Sequence, residues 1–331
     1  MHLLDYERYL EDRSRRYSNF YGRSWLLYHY LRFEPDRRGQ LLRYWQAVAS
    51  GADSLEAGEA IFGDIDRLEK DVTSYGRKRS MSGMRFSAAD ISIGSVRVTE
   101  LSEGHAKMMD VIMRSKRGVD SEAAQEIVVD ARRVAEDFPG DAHVLTALAE
   151  AEYDSGNDDA AIAAAERAIS IDPAIPNAYV QKGYALFRKA AESDEPAMAY
   201  QAAMTPFQDL NALEADHTQP LIYYYRSFVR RGEAPPEDAK FALERATQLA
   251  PFDKGLAVEA AGMKAAEGDP VIARYLLAPV AADPHGGKRG RLARAMMEVL
   301  AKVPDGSRVN LSDFAREFDE ADETDDADSD D

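Results

Sequence analysis

The sequence predicts an all-α protein, in which an α-solenoid of helix–turn–helix repeats follows a small helical N-terminal domain and a short β-hairpin joint. Two observations predict the solenoid. Turn and proline residues recur through the C-terminal two thirds at a near-constant stride, and small and large apolar residues alternate as in closely packed helix pairs. The N-terminal domain is predicted because its apolar segments have helical length without repeating.

Composition is that of an ordinary globular protein. The 331 residues are 45% apolar and 30% charged, which suffices for a hydrophobic core and suggests about two domains. The sequence contains no cysteine, which excludes disulfides, thiolate zinc sites and cysteine nucleophiles. The residues after Met1 lack the apolar run of a signal peptide, and no stretch reaches the ~18 apolar residues of a membrane span. We therefore expect a soluble, cytoplasmic chain.

The formal charge of −18 is unevenly distributed. The segment from Asp313 to Asp331 contains eleven acidic residues and one basic residue, so it supplies more than half of the excess. Blocks of like charge usually stay solvated. We predict that residues 304–331 form a disordered acidic tail, with a site for a basic partner as the alternative. Negative charge repels phosphate backbones, so nucleic acid is not expected as a partner.

Residues 1–80 are predicted to form a small helical domain. The segment Trp25–Leu31 is apolar on all sides, which predicts a buried helix, and Asp53 with Glu56 three residues later predicts a helix start. Further helices are predicted from about Gly39 to Ala49 and from Asp64 to Tyr75. The second helix is predicted to present one apolar face, made of Leu41, Leu42, Trp45 and Val48.

The run Phe20–Leu31, followed by Ser50-Gly51 and Ala60–Gly63, resembles the downstream half of gluzincin-like peptidases of the peptidase MA kind, over residues 16–80. In that family the zinc ligands come from an HExxH helix and a later Glu, both upstream of the matched region. No histidine of this sequence belongs to an HExxH. The resemblance implies either a degenerate peptidase half or a chain whose start lies further upstream. His29 is predicted to be a buried, hydrogen-bonded core residue.

Residues 81–102 are predicted to join the two domains. Residues from Ile91 to Leu101 alternate weakly in hydrophobicity and include Val96 and Val98. This pattern predicts a small β-hairpin or a pair of short strands.

One repeat unit can be recognised in full. Its first helix contains Leu145, Leu148 and Ala149, a turn begins at Gly156, and its second helix contains Ala161, Ala168 and Ile169. Small residues let two antiparallel helices approach, larger ones fill the space between them, and Pro173 ends the second helix. The unit resembles a tetratricopeptide repeat (TPR).

The unit boundaries recur at matching offsets. They are separated by 34, 44, 34 and 33 residues, against a tetratricopeptide period of ~34, and lie at Phe138-Pro139, Asp172-Pro173, Asp216-His217, Ala250-Pro251 and Asp283-Pro284. One unit is longer by ten residues, and we predict the insertion at Ala190–Pro196. The TPR-like array is predicted over residues 103–303, with a capping helix from about Arg289 to Val303. The alternative is an irregular helical bundle.

Stacked repeats form a superhelix whose first helices line a concave groove. Counted from the boundaries, the predicted partner-binding residues are Asn177, Tyr184, Arg188, Tyr224, Phe228 and Arg231, within a wider set that includes His143, Thr146, Glu150, Tyr153, Val180, Phe187 and Leu221. The alternative is that these aromatic residues belong to the core. Family members that clamp a C-terminal carboxylate use Lys and Asn at positions equivalent to Thr146, Val180 and Tyr224, which argues against such a ligand here.

These features favour a protein-interaction scaffold that binds a peptide or protein partner. No catalytic or metal-binding residues and no cofactor are expected, since neither a zinc motif nor a glycine-rich phosphate loop occurs. Two alternatives remain open. The chain could be the C-terminal portion of an exported zinc-dependent metallopeptidase, periplasmic or secreted, whose catalytic half lies upstream of Met1. It could also be an assembly factor that self-associates through its capping helix.

Overall fold

The computed structural model describes Leu4 and residues 20–50, 52–92, 94–283 and 286–309. All regular structure in this part of the chain is helical. It divides into two compact units, which are treated separately. One contains the N-terminal helices and Arg274–Lys302, and the other contains Arg97–Ala273 and the segment that begins at Val303.

The N-terminal helices agree with the predicted ones. Two of them begin with side-chain caps, as Asp53 accepts hydrogen bonds from the backbone N–H groups of Leu55 and Glu56, and Asp64 accepts one from Arg67. The helices are α1 Phe20–Phe33, α2 Gln40–Ala49, α3 Ser54–Phe62 and α4 Ile65–Tyr75. Their shared core contains Leu4, Leu27, Tyr30, Leu31, Phe62, Leu68, Val72 and Tyr75.

One prediction about burial in this domain is wrong, and the apolar face predicted for α2 is only partly covered. Helix α1 is not buried on all sides, because Trp25 and Tyr28 are 56% and 52% exposed. On α2, Leu42 and Trp45 are 58% and 65% exposed, and no residue of this helix is fully buried. Helix α1 contacts α2 and α4, and these contacts leave Trp25 and Tyr28 uncovered by the described residues.

The predicted β-hairpin is absent. In the described part of residues 81–102 the backbone forms no strand, and its one regular element is a short 3-10 helix, Ala88–Asp90. Val96 and Val98 are 78% and 89% exposed. A two-stranded hairpin is at best marginally stable without an apolar face to pack, and alternating hydrophobicity alone does not supply that packing partner.

The repeat array is confirmed as a series of helix pairs, in which the first helix is called A and the second B. The pairs are α5 Glu103–Lys116 with α6 Ser121–Asp137, α7 Ala142–Asp154 with α8 Asp158–Ile171, α9 Pro176–Ala191 with α10 Pro196–Ala203 and α11 Thr205–Leu213, and α12 Thr218–Arg230 with α13 Glu237–Leu249. They are followed by α14 Lys254–Glu267, α15 Pro270–Ala281 and α16 Gly287–Ala301. The last lies within two residues of the predicted capping helix.

Small residues allow the helices of one pair to pack closely. Ala149 of α7 and Ala161 and Ala168 of α8 are fully buried, as is Leu145. Each A helix also contacts the next one, α5 against α7 and α7 against α9. The C-cap residues of the B helices are Phe138, Asp172, Glu214 and Ala250, close to the predicted boundaries. The final predicted boundary extends to Pro284, which lies outside the described residues.

The long unit accommodates its additional residues within helices. The predicted insertion at Ala190–Pro196 is a connection of only four residues, 192–195, between α9 and α10. Helix α9 has 16 residues, and its B partner is divided into α10 and α11, which meet at Met204. Aromatic residues of these three helices, Phe187, Tyr200 and Phe207, are buried together in one cluster.

The first six residues of the predicted acidic tail, 304–309, belong to the described structure, and the last of them is buried. Val309 is 3% exposed, and its N–H donates to the carbonyl of Ala265 at 3.0 Å. The segment therefore packs against α14 through Val309, an apolar residue that precedes the charged block. The remainder of the predicted tail, residues 310–331, lies outside the described residues.

Candidate functional site

A cavity of about 510 Å³ opens between successive A helices of the array. Helix α7 contributes Glu150, Tyr153 and Asp154, helix α9 contributes Asn177, Gln181 and Tyr184, and the start of α12 contributes Gln219. We call it the A-helix cavity. Its walls combine aromatic rings with polar groups, a composition typical of recognition sites.

A chain of hydrogen bonds connects Lys116, Glu150, Asn177 and Gln181, which all line the A-helix cavity. Lys116 donates to Glu150 Oε1, and Asn177 Nδ2 donates to Glu150 Oε2 at 3.0 Å. Asn177 Oδ1 accepts from Gln181 Nε2 at 3.2 Å. A carboxylate only accepts, so this chain fixes which way both amides point. Gln181 Oε1 therefore points away from Asn177, and it has no hydrogen-bond partner among the described residues.

Arg188 borders the cavity but is already engaged. Its guanidinium lies 4.0 Å over the ring of Tyr153 and donates to both carboxylate oxygens of Asp158 and to the Tyr153 carbonyl. The hydrogen bond with Asp158 raises the pKa of Arg188 above its usual value. Because α9 is held to α8 and α7 by this side chain, its role is to fix the relative position of two repeats.

Tyrosine rings continue from the cavity along the A helices. The ring centroids of Tyr153 and Tyr184 are 5.6 Å apart, and those of Tyr184 and Tyr223 are 5.3 Å apart. Beyond them, Arg226 lies 5.4 Å over Tyr223 and forms a bidentate ion pair with Glu259 of α14. Burial raises the pKa of each of the three tyrosines, so their hydroxyls stay protonated at neutral pH.

The six predicted partner-binding residues fall into two groups. Asn177 and Tyr184 line the A-helix cavity and Arg188 lies beside it. The other three form a separate cluster on α12, in which Arg231 lies 4.5 Å over the ring of Phe228, and the rings of Phe228 and Tyr224 are 5.4 Å apart. Tyr224 donates to Asp238 of α13 at 2.9 Å. These three residues therefore face the B helix of their own pair.

The separation has a simple cause in the register of α12. Asn177 and Tyr184 are the second and ninth residues after Ile175, the N-cap of α9. The N-cap of α12 is His217, which makes Gln219 and Arg226 the equivalent residues. The sequence prediction treated His217 as a boundary residue two positions before the cap, so it assigned Tyr224, Phe228 and Arg231 two residues too late. The signal that would have prevented this is the capping pattern of α12.

Three residues of the wider predicted set are almost fully buried, and Val180 is the one among them that also lines the A-helix cavity. Thr146, Val180 and Phe187 are 5%, 6% and 8% exposed. The Thr146 hydroxyl donates to the carbonyl of Ala142 at 2.8 Å, and Phe187 packs among Tyr200, Phe207 and Tyr223. Tyr223, Arg226 and Glu259 were not selected from the sequence, because nothing local marks which side of an aromatic helix is exposed.

Acceptors dominate the polar lining of the cavity. Asp154 accepts from Ser115 at 3.1 Å, and burial, reinforced by the charge of Glu150, raises the pKa of Asp154. Burial lowers the pKa of His217, which lies at the opposite wall. Across the described residues, His, Asp and Glu form no group of three that could hold a metal ion. His29, the histidine of the peptidase-like region, is buried and hydrogen-bonded to Tyr75 at 2.9 Å, as predicted.

Comparison with known proteins supports the fold. No family model and no curated protein matches this chain. The crystal structure of a thermophilic TPR protein of Thermus thermophilus is similar to it, with a TM-score of 0.50 and 12% sequence identity over 59% of this chain and 99% of that chain. At this identity the likeness shows the fold alone, which is an all-α, TPR-like helical-repeat solenoid. Among the described residues, no helix has the length and apolarity to cross a membrane.

Proposed function

We propose that this chain is a protein-interaction scaffold, which binds a peptide or an exposed segment of a partner protein in the A-helix cavity and catalyses no reaction itself. The observation that carries this proposal is that three successive A helices contribute side chains to one open cavity. Helical repeats characteristically use such surfaces for recognition.

The side chains of the cavity are held in place before any ligand arrives. Glu150 and Asn177 are fixed by hydrogen bonds, and Tyr153 is fixed beneath Arg188. A site that is ordered in advance loses little side-chain entropy on binding. Aromatic residues beside polar anchors are also the side chains that contribute most to binding energy at protein interfaces.

Selection of peptides from a random phage-displayed library on the full chain tests this proposal. We expect enriched peptides that bind with a Kd measurable by fluorescence anisotropy, and whose affinity falls at least tenfold on Gln219→Trp, since the indole would fill the cavity. Phe252→Ala changes a residue that is 82% exposed and lies outside the cavity lining. This variant is the control and should leave binding unchanged. Failure to enrich any peptide, or equal binding by the Gln219→Trp protein, would overturn the proposal.

The metallopeptidase alternative rests on the resemblance of residues 16–80 and makes a different prediction. A peptidase portion should bind zinc at one ion per chain and lose activity on chelation. Metal analysis of the purified protein separates the two functions, and stoichiometric zinc would defeat the scaffold proposal. An in-frame HExxH in the DNA upstream of Met1 would likewise favour the peptidase.

A further inference from the structure

We propose that the A-helix cavity is a subsite for a basic side chain, lysine or arginine, carried by an extended peptide. This inference deepens the proposed function and rests on it. It is carried by the placement of Glu150, Asp154 and Gln181, whose side chains line one cavity.

Asp154 is the cavity carboxylate that forms no ion pair among the described residues, although the charges of Lys116 and Arg188 act on it and oppose the rise of its pKa. Glu150 and Asp154 lie one helical turn apart on α7, and both line the cavity. Glu150 is paired with Lys116. Asp154 accepts a hydrogen bond from the neutral hydroxyl of Ser115 and forms no ion pair with a described residue. A half-buried carboxylate in this position attracts a cation from outside the chain.

Gln181 adds an acceptor that the fold leaves unused. This residue is 5% exposed, and its Oε1 atom has no partner among the described residues. Rotation of the Gln181 amide by 180° would not give Oε1 a partner, because it would break the hydrogen bond from Nε2 to Asn177 Oδ1. Asn177 cannot rotate in turn, since its Nδ2 donates to the carboxylate of Glu150. An unpaired buried acceptor is unfavourable, so a ligand N–H that reaches it gains the hydrogen bond.

Basic side chains match this set of groups better than other side chains do. Lysine offers three donors, arginine offers five, and neither presents an acceptor. A carboxylate ligand would instead meet Glu150, Asp154 and the Gln181 oxygen, which it would repel. The net charge of −18 acts in the same direction, because it attracts basic segments over long range.

The walls of the cavity suit the remainder of such a side chain. Tyr153 and Tyr184 present rings, and Ile175 and Val180 present apolar surface along which an aliphatic stem can pack. The same array already holds a guanidinium over a tyrosine ring, 4.0 Å for Arg188 over Tyr153. The geometry required for a cation–π contact with a bound peptide is therefore one that these repeats already use.

The test uses peptides enriched by selection on the full chain. We expect each to contain a Lys or Arg whose replacement by norleucine, which keeps the aliphatic stem and removes the charge, raises the Kd at least tenfold. This measurement needs no protein variant. Some enriched peptides could lose affinity for the Gln219→Trp protein, which places them in the cavity, and yet tolerate norleucine or contain no basic residue. That result would overturn this inference and leave the proposed function standing.

Two protein variants locate the basic side chain. Asp154→Asn and Gln181→Met, each folded by circular dichroism, should raise the Kd of the basic peptide at least threefold and leave that of the norleucine peptide unchanged. Glu126→Gln, which removes the same charge from an exposed position on α6, is the control and should leave both unchanged. Equal losses for the basic and norleucine peptides would contradict the proposed contact.

Discussion

Phe207 of α11 packs against the backbone of Gly183 in α9, in the space that a β-carbon at position 183 would occupy. The ring of Phe207 is fully buried and stacks on Tyr223 at a centroid distance of 4.5 Å. Gly183 thus allows the divided B helix of the long unit to approach its A helix, and this contact supports the tyrosine series beside the A-helix cavity.

Gly183→Ala should therefore destabilise the array. The added methyl group must displace a buried aromatic ring, which costs about 1–3 kcal/mol, while the better helix propensity of alanine returns up to about 1 kcal/mol. We expect a net loss of about 1–2 kcal/mol in the free energy of unfolding, measured by urea denaturation. Gly140→Ala is the control, since no described atom lies within 4 Å of its β-carbon position. Equal stability of the two variants would contradict the close contact.

The ion pair between Arg226 and Glu259 should contribute measurably to the contact between α12 and α14. It is bidentate, with its shortest N–O distance at 2.6 Å, and its side chains are 37% and 24% exposed. A double-mutant cycle with Arg226→Met and Glu259→Gln should give a coupling energy of about 1 kcal/mol at low salt. The more exposed pair Arg245–Asp216 serves as the comparison and should give less than about 0.5 kcal/mol. The reverse order would contradict this interpretation.

Stability should fall as the pH drops below about 6.5, the ordinary pKa of histidine. His217 accepts the N–H of Gln219 through Nδ1, and burial lowers its pKa. The folded state thus favours the neutral form of His217. As the pH falls, the unfolded chain binds a proton on this residue before the folded chain does, so acidification favours unfolding. Thermal unfolding between pH 7.5 and 5 should show a shallower decrease for His217→Asn, which keeps an N-cap acceptor. An unchanged slope would exclude this role.

His105 should contribute to the same pH dependence with the same sign. Its pKa is lowered by burial and by His143, and the two imidazole rings stack at 4.5 Å. Adding His105→Asn to His217→Asn should reduce the slope further, since the imidazole whose pKa is lowered in the folded state is then absent. If the double variant has the same slope as His217→Asn alone, His105 does not contribute to the pH dependence of stability.

Tyr75→Phe should destabilise the N-terminal domain. His29 is 9% exposed, and its Nδ1 is hydrogen-bonded to the Tyr75 hydroxyl. The phenylalanine keeps the ring contact and leaves a buried polar nitrogen without its partner, at a cost of about 1–3 kcal/mol. Tyr28→Phe, at a residue 52% exposed, makes the same chemical change and should alter the free energy of unfolding by less than about 0.5 kcal/mol. Similar effects of the two would count against a core role for His29.

Local signals in the sequence are enough to predict the helical elements and their pairing. Asp53 and Asp64 mark helix starts at which the structure has side-chain caps, and the prolines after Phe138 and Asp172 mark the ends of B helices. These signals are reliable because helix capping and helix termination depend on residues only a few positions apart. The stride of the repeats follows from the same local signals.

The identity of the side chains that reach the cavity depends instead on how the helices pack. If the start of α12 is placed two residues too late, each predicted position moves by about 200° around the helix axis. Phe228 is then assigned to the position that Arg226 occupies. The same limit explains the exposed Trp25 and the missing hairpin, because apolar residues are buried only where another element arrives to cover them. That arrival depends on contacts between distant segments, such as Phe207 against Gly183, which no local pattern specifies.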